Sequence, residues 1–375
     1  MATGSSRWRR CPAAACIPRP TKPSRVRRVT GRHREGLLLS DIVEPQAWTP
    51  AVAVPARNEA ERIPALLRSL ADQSWLDGAP GRRLPVCLVL NNTTDDSLAV
   101  AQHCAAGLPQ LDVQLATVVF PPARAHVGSA RRQAMNLALA RLDPAHGVLL
   151  TTDADARPDR DWIDASLAAI AAGADAVGGR IVGDPAEEAR LGPEVLRRAR
   201  DQLRYARLCD QLASVMDPTP HDPWPRHQDH TGASLAVRAH AYRAVGGLPA
   251  LAFREDLGLV RRLRAANFKL AHPLSVRVEV SARLYGRAPG GMADCLKGWI
   301  HAEAEQRPHL VEAPEDVRTR LRGRAALRRS PDAGVGDRLE RWTGDDPDAV
   351  GVVPVLEAIA QLEALIATEA AQDVC

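Results

Sequence analysis

Residues 51–73 read AVAVPARNEAERIPALLRSLADQ, and this stretch decides the fold class. Ala51–Ala56 is a short apolar run that stops at Pro55, the pattern of a buried strand ending in a loop. In the segment that follows, Ile63, Leu66, Leu67 and Leu70 recur at the spacing of one helix face. The same unit repeats downstream. LPVCLVL (residues 84–90), DVQLATVVF (112–120), GVLLTTD (147–153) and ADAVGGRIVG (174–183) read as four more strands. TDDSLAVAQHCAA, VGSARRQAMNLALARL and DRDWIDASLAAIAA read as the helices between them. Strands and helices alternating at short intervals predict an α/β fold, a Rossmann-like mostly parallel central sheet flanked by helices. Ligands of such sheets bind beyond the carboxyl ends of the strands. That rim is where the polar residues Asn58, Glu59, Asn91 through Asp96, Asp153 and Asp155 fall.

Composition narrows the class. The chain has 375 residues, 45% hydrophobic and only 3% aromatic, so its core is built from Ala, Val, Leu and Ile. Net charge is +4, yet residues 1–35 alone hold ten Lys or Arg against one acid, which leaves the remainder acidic. Without aromatic platforms among the basic residues, no nucleic-acid partner is expected. The seven cysteines form no CxxC pair, which suits reduced thiols, a cytoplasmic location and no structural zinc. No apolar run reaches the roughly twenty residues that span a bilayer, which leaves peripheral membrane contact open.

The division expected is a basic, disordered extension over residues 1–36, a main domain over 37–306, and a helical C-terminal appendage over 307–375. Within the main domain, a nucleotide-binding half covers about 48–183 and an acceptor half about 184–306. A long helical stretch from Ala186 to Met216 leads into a Pro- and His-rich loop at residues 217–232.

Asp153 and Asp155 stand in one turn at the end of a strand. Two carboxylates there repel each other unless a cation lies between them, and Mg²⁺ or Mn²⁺ with oxygen ligands meets that need. Capping of the following helix is the plainer alternative. Glu255 and Asp256 open an amphipathic helix, whose N-terminus favours the ionised carboxylate, so Asp256 is a candidate general base; a simple helix cap is again the alternative. Gly128, Arg131 and Arg132 lie at the start of another helix, where a bound anion would account for arginines otherwise unfavourable to the dipole. Solvated arginines are the bland reading.

Six segments in this order resemble the family-2 glycosyltransferases of the GT-A fold, of the non-processive type: VAVPARNEAERIPALLRSL, LVLNNTTDDSLAVA, GSARRQAMNLAL, LLTTDADARPDRDWI, TGASLAVRAHAYRAVGGLP and FREDLGLVRRL. The resemblance covers about Ala51 to Leu270, with a looser stretch to Ile300. It implies transfer of one sugar from a nucleotide-diphospho-sugar, UDP-, GDP- or dTDP-linked, to an acceptor hydroxyl. It also implies a donor site at Pro55, Asn58, Glu59, Asn91, Asp96, Arg131 and Asp153, and Mg²⁺ or Mn²⁺ on Asp155 and Asp153. Asp256, beside Glu255, matches the catalytic base of inverting members. Asn91 departs from the pattern, since many members carry Asp there, and Arg132 stands where Asn is usual. QxxRW, the mark of processive synthases, is absent. The alternatives are a non-catalytic nucleotide-sugar-binding module and a sugar nucleotidyltransferase; the latter needs a Gly-rich loop after the first strand. A GxGxxG that would point to a dinucleotide oxidoreductase is also missing there.

Two features stand beside this frame. Ser281, Arg283 and Arg287 lie among Gly286, Gly290 and Gly291, which suits a lid over the diphosphate or an ordinary connector. His221, His227, His230 and His272 read mainly as partly exposed loop residues, with His230 a candidate acceptor contact and His272 a candidate metal ligand.

Overall fold

The computed structural model describes residues 48–286, 291–329 and 351–372, so the basic N-terminal extension, Arg287 and Gly290 lie outside the described residues. The central sheet has seven strands. They are β1 (Thr49–Ala56), β2 (Leu84–Asn91), β3 (Leu111–Val118), β4 (Gly147–Thr151), β6 (Ala176–Gly178), β8 (Leu235–Arg238) and β9 (Leu270–Ala271). Their order is β3-β2-β1-β4-β8-β6-β9. All pairs are parallel except those of β8, which runs antiparallel to both β4 and β6. A second sheet joins β5 (Ala156–Pro158), β10 (Arg277–Val280) and β7 (Arg180–Gly183) in the order β5-β10-β7. A two-stranded ladder pairs β11 (Leu310–Glu312) with β12 (Val352–Pro354).

Alternation along β1 explains why its sequence is apolar without a break. Val52 and Val54 face one core with the helices Ile63–Ala71 and Trp162–Ala171. Ala51 and Ala53 face the other, with the helices Val127–Leu139, Ala239–Ala244 and Glu255–Ala265. A strand covered on both faces has no reason to carry a polar side chain. The strand runs on through Pro55, which is in register with Val89. The proline is tolerated because residues of its parity turn their backbone toward β4, which ends at Thr151 opposite Ala53.

Three local expectations are corrected. The run 174–183 is two strands, β6 and β7, in different sheets. The chain crosses between them at Gly179, where a Cβ would meet Ser234 Oγ at 1.9 Å. The long helix of the second half starts at Pro193 rather than Ala186, because Gly192 adopts φ 84° and separates it from the short helix Pro185–Glu188. Cys295 is disulfide-bonded, whereas reduced thiols were expected throughout; Cys87, Cys104 and Cys209 are free.

The C-terminal helices Pro314–Arg328 and Val355–Gln372 pack on the helix Pro193–Met216. Leu212, Val317, Leu321, Ile359 and Leu362 form a small core there, apart from those of the main sheet. Among the described residues, no helix is long and apolar enough to cross a membrane.

Candidate active site

The chain builds β2 and β3 to one side of β1 and then β4 to the other. The strand order therefore reverses at the β1/β4 junction, where open α/β sheets leave a crevice. Asn58 and Glu59 follow β1, residues 92–97 follow β2, and residues 152–155 follow β4. Because β8 is antiparallel, its first residue, Leu235, lies opposite Thr151, so Gly232 and Ser234 also arrive at this rim. Trp162, fully buried, anchors the corner through its indole N–H to Ser234 Oγ at 2.9 Å.

Arg131 is the hub. It is 3% exposed, and its Nε donates to Glu255 Oε1 at 2.9 Å and its Nη2 to Asp153 Oδ1 at 2.7 Å. Its Nη1 donates to Thr151 Oγ1 at 3.1 Å and to Gly232 O at 2.8 Å. Burial alone would lower its pKa, but the Asp153 and Glu255 carboxylates outweigh burial and raise it. The anions that explain this arginine are thus side chains of the protein itself. Arg132, its neighbour, is exposed. Gly128 is required for the close packing here, since a Cβ would lie 2.0 Å from Leu251 O.

Gly232 continues the network by donating its N–H to Asp256 Oδ2 at 2.7 Å, while Leu257 N–H reaches Oδ1 at 2.7 Å. Both oxygens of Asp256 are thereby fixed at the mouth of the helix. Arg254, just before this helix, sits at φ 57°, a strained conformation for a long L side chain. Glu255 is buried, and burial raises its carboxyl pKa against the opposing pull of Arg131.

Asp155 meets a second arginine. Arg283 donates to Glu59 Oε1 at 2.8 Å and Oε2 at 3.1 Å, and pairs with Asp155 Oδ2 at 2.9 Å. Burial, then the Asp153 charge, push the Asp155 carboxyl up to about 6, Arg283 opposing and Glu59 adding to the rise. The strand that leads to Arg283 is held by Glu187, which accepts from Ser281 Oγ at 2.7 Å, Ala282 N at 2.8 Å and Arg62 Nη2 at 2.7 Å. A cleft beside it is lined by Arg62, Asp155, Arg157, Asp184 and Ser281.

The first two loops brace each other. Asn58, at φ 54°, accepts from Thr94 N at 2.8 Å, and Glu59 N–H reaches Ser97 Oγ at 2.8 Å. Asn91 is buried, with Nδ2 on His126 O at 3.3 Å and Oδ1 without a hydrogen-bond partner among the described residues. Asp96 is exposed. Its neighbour Asp95, placed at the rim by the sequence but given no role of its own, knits the loop by accepting from Ser97 N at 3.0 Å and Ala60 N at 3.2 Å. The Asp-x-Ser spacing ahead of a helix was the available cue.

Three of the histidines, His227, His230 and His272, form a packed group, while His221 is half-buried in the loop. His272 is 2% exposed and shares Nδ1 with Asp222 Oδ2 at 2.9 Å. Its ring meets those of His227 and His230 at 5.7 and 5.6 Å. Burial pushes His227 down to about 3, and also lowers His272. Among the described residues, no group of three or more His, Cys, Asp or Glu side chains is placed to hold a metal by itself.

Comparison with known proteins finds a family model that matches part of the chain. Residues 51–219 match the family described as glycosyl transferase family 2. Among solved structures, it is similar to the mannosyltransferase PcManGT from Pyrobaculum calidifontis in complex with GDP-Man and Mn²⁺ (18% identity, TM-score 0.45, 88% of this chain and 76% of that one). It is also similar to S. aureus TarS 1-349 in complex with UDP-GlcNAc (16% identity, TM-score 0.46, 75% and 72%). A third is glucosyl-3-phosphoglycerate synthase from Mycobacterium tuberculosis with Mn²⁺, UDP and glucosyl-3-phosphoglycerate (16% identity, TM-score 0.40, 74% and 88%). No curated protein matches the chain.

Proposed function

We propose that this protein transfers a hexosyl unit from a nucleotide-diphospho-sugar to an acceptor hydroxyl, with a divalent metal and with inversion at the anomeric carbon. The observation that carries the reading is the continuous network Asp153–Arg131–Gly232–Asp256, with Glu255 on Arg131. It couples the turn after β4 to the mouth of the Glu255–Ala265 helix, so that a donor held at one is presented to a base held at the other.

Asp155 and Asp153 fit Mg²⁺ or Mn²⁺. Both offer carboxylate oxygens, and the Asp155 carboxyl, raised first by burial and then by the Asp153 charge, is one whose ionised form a cation would stabilise. When bound, the metal supplies charge neutralisation for the departing nucleoside diphosphate. The protein's own residues do the rest. Asn91 Oδ1 and the loop braced by Asn58 and Asp95 receive the nucleoside, with Pro55 and Asp96 at its border. Asp256 accepts the proton of the attacking hydroxyl, its two oxygens oriented by backbone N–H groups. Arg283 takes the place of a cation between Glu59 and Asp155 and passes to the diphosphate as donor arrives.

Thermal shift with UDP-, GDP- and dTDP-sugars, each with Mn²⁺ and with EDTA, tests the reading. A metal-dependent rise with one nucleotide class is expected. No rise with any of them, together with normal folding, would overturn the donor site and the transferase reading with it; a rise without sugar transfer to any acceptor or to water would move the assignment to a non-catalytic nucleotide-sugar-binding module.

Two further results are expected. Asp155 has its folded pKa at about 6 against an ordinary 3.8. Between these values the folded form holds a proton that the unfolded chain has released, so this group favours folding at low pH and loses that effect as pH rises through 6. Cation binding needs the carboxylate, so Mn²⁺ affinity should fall about tenfold per pH unit below 6 and level off above it. An affinity flat from pH 5 to 8 would remove Asp155 from the metal site. Arg283→Gln should tighten Mn²⁺ binding without nucleotide, since the competing guanidinium is gone, and weaken nucleoside diphosphate binding by about tenfold. Calorimetry reads both; an unchanged pair of affinities would leave Arg283 a purely structural tie.

A further inference from the structure

The small sheet turns Ala156, Ile181, Val278 and Val280 into the core. By alternation its other face carries Arg157, Arg180 and Arg277. Arg180 and Arg277 are register partners on adjacent parallel strands, so their side chains rise side by side from backbones about 5 Å apart. Arg157 is neutralised by Asp184 and Glu279, and Arg277 has Asp159 at 3.1 Å. Arg180 differs from both. It is partly buried, and among the described residues its guanidinium has no hydrogen bond and no ion pair. Arg207, on the helix Pro193–Met216, bears on it and likewise has no partner. Burial, then the charges of Arg277 and Arg207, lower the Arg180 pKa. Among the described residues, the acid that bears on Arg180 in compensation is Asp229. Its Oδ2 is already engaged by Ile181 N–H at 3.1 Å, and burial pushes its carboxyl up to about 7.

A half-buried guanidinium beside its register neighbour Arg277, within reach of the Arg207 charge and with no carboxylate bonded to it among the described residues, is costly unless an anion from outside completes it. The position says which anion. Gly179 N–H bonds Ser234 O at 2.9 Å, and Gly232, two residues earlier, bonds Asp256 at 2.7 Å. The Gly179 backbone therefore lies within about 15 Å of the proposed base, by chain reach alone. We propose that Arg180, Arg207 and Arg277 form a subsite for an anionic group, phosphate or carboxylate, carried by the acceptor away from its reacting hydroxyl. This rests on the glycosyltransferase reading and names the acceptor class for it. Guanidinium forks suit the planar or tetrahedral oxygens of both groups.

The test is a calorimetric titration of inorganic phosphate, and separately of acetate, into the full chain already saturated with Mn²⁺ and the nucleoside diphosphate that binds it. Saturation keeps the anion out of the donor site. Wild-type protein should bind phosphate or acetate, the tighter one identifying the group recognised. Arg180→Gln and Arg207→Gln should each weaken that binding at least tenfold, with nucleotide affinity within twofold of wild type. Arg207 is exposed, so its variant tests the site even if Arg180→Gln folds poorly. Anion binding that is absent from wild type, or indifferent to both substitutions while nucleotide still binds, overturns the subsite alone. Failure of every nucleoside diphosphate to bind overturns the transferase reading and the acceptor assignment with it.

Discussion

Asp256→Asn should lower sugar transfer by about 10²- to 10⁴-fold, the range set by losing a positioned general base, while nucleotide-sugar affinity stays within twofold. The substitution keeps shape and removes charge. Asp256 now accepts one backbone N–H on each oxygen, from Gly232 and from Leu257. An amide can accept only one of them and turns its NH₂ toward the other. A modest loss of stability, about 1–3 kcal/mol, accompanies the change, so kinetics must be measured well below the variant's melting temperature. Donor affinity is the control, because Asp256 touches the hub through Gly232 and not through the donor loops. Normal turnover in a folded Asp256→Asn protein would end its assignment as base. Turnover and donor affinity falling together would make it a structural cap of its helix.

The second large effect is on folding. Arg131→Met should cost about 3–5 kcal/mol, the usual range for removing one partner of a buried ion pair. Met fills much of the volume but leaves Glu255 and Asp153 facing each other with no guanidinium between them. Glu255 is the more exacting of the two, being 4% exposed with a carboxyl already raised by burial. Without Arg131 that carboxyl rises further, and a folded carboxyl that holds its proton above the unfolded pKa loses stability as pH rises. The deficit should therefore be larger at pH 8 than at pH 5. Arg131→Lys should rescue little, since one ammonium cannot serve acceptors spread over Nε, Nη1 and Nη2. Urea denaturation at the two pH values checks this. A variant with wild-type stability at both would show that the two carboxylates find water instead.

The site was legible in part. Asp153, Asp155, Glu255 and Asp256 could be picked out because carboxylates at a strand end or a helix start are local patterns. Arg131 could be picked out too, but as an anion ligand at a helix start, where the structure has it buried among the protein's own carboxylates. Arg283 reads in sequence as one cation in a Gly-rich connector. Its partner Glu59 lies 224 residues earlier, and no local spacing relates the two. Arg180 is similar: inside the run ADAVGGRIVG it looks like one polar residue in a strand, and its lack of a bonded carboxylate among the described residues is a fact about Arg277, Arg207 and Asp229 together.

The apolar runs and their periods determined, by themselves, the alternation of strand and helix, the two-faced burial of the sheet, and the rim where polar groups collect. Those follow from backbone geometry and the cost of exposing Val and Leu, which act over a few residues. Tertiary structure alone decided that β8 runs backward and carries Gly232 to the rim. It decided that the strand of residues 174–183 breaks at Gly179 into two sheets. It also decided which arginine meets which carboxylate. A charge pair is fixed only when the chain segments that carry it are brought within a few ångströms and out of water, and that proximity is a property of the packed fold.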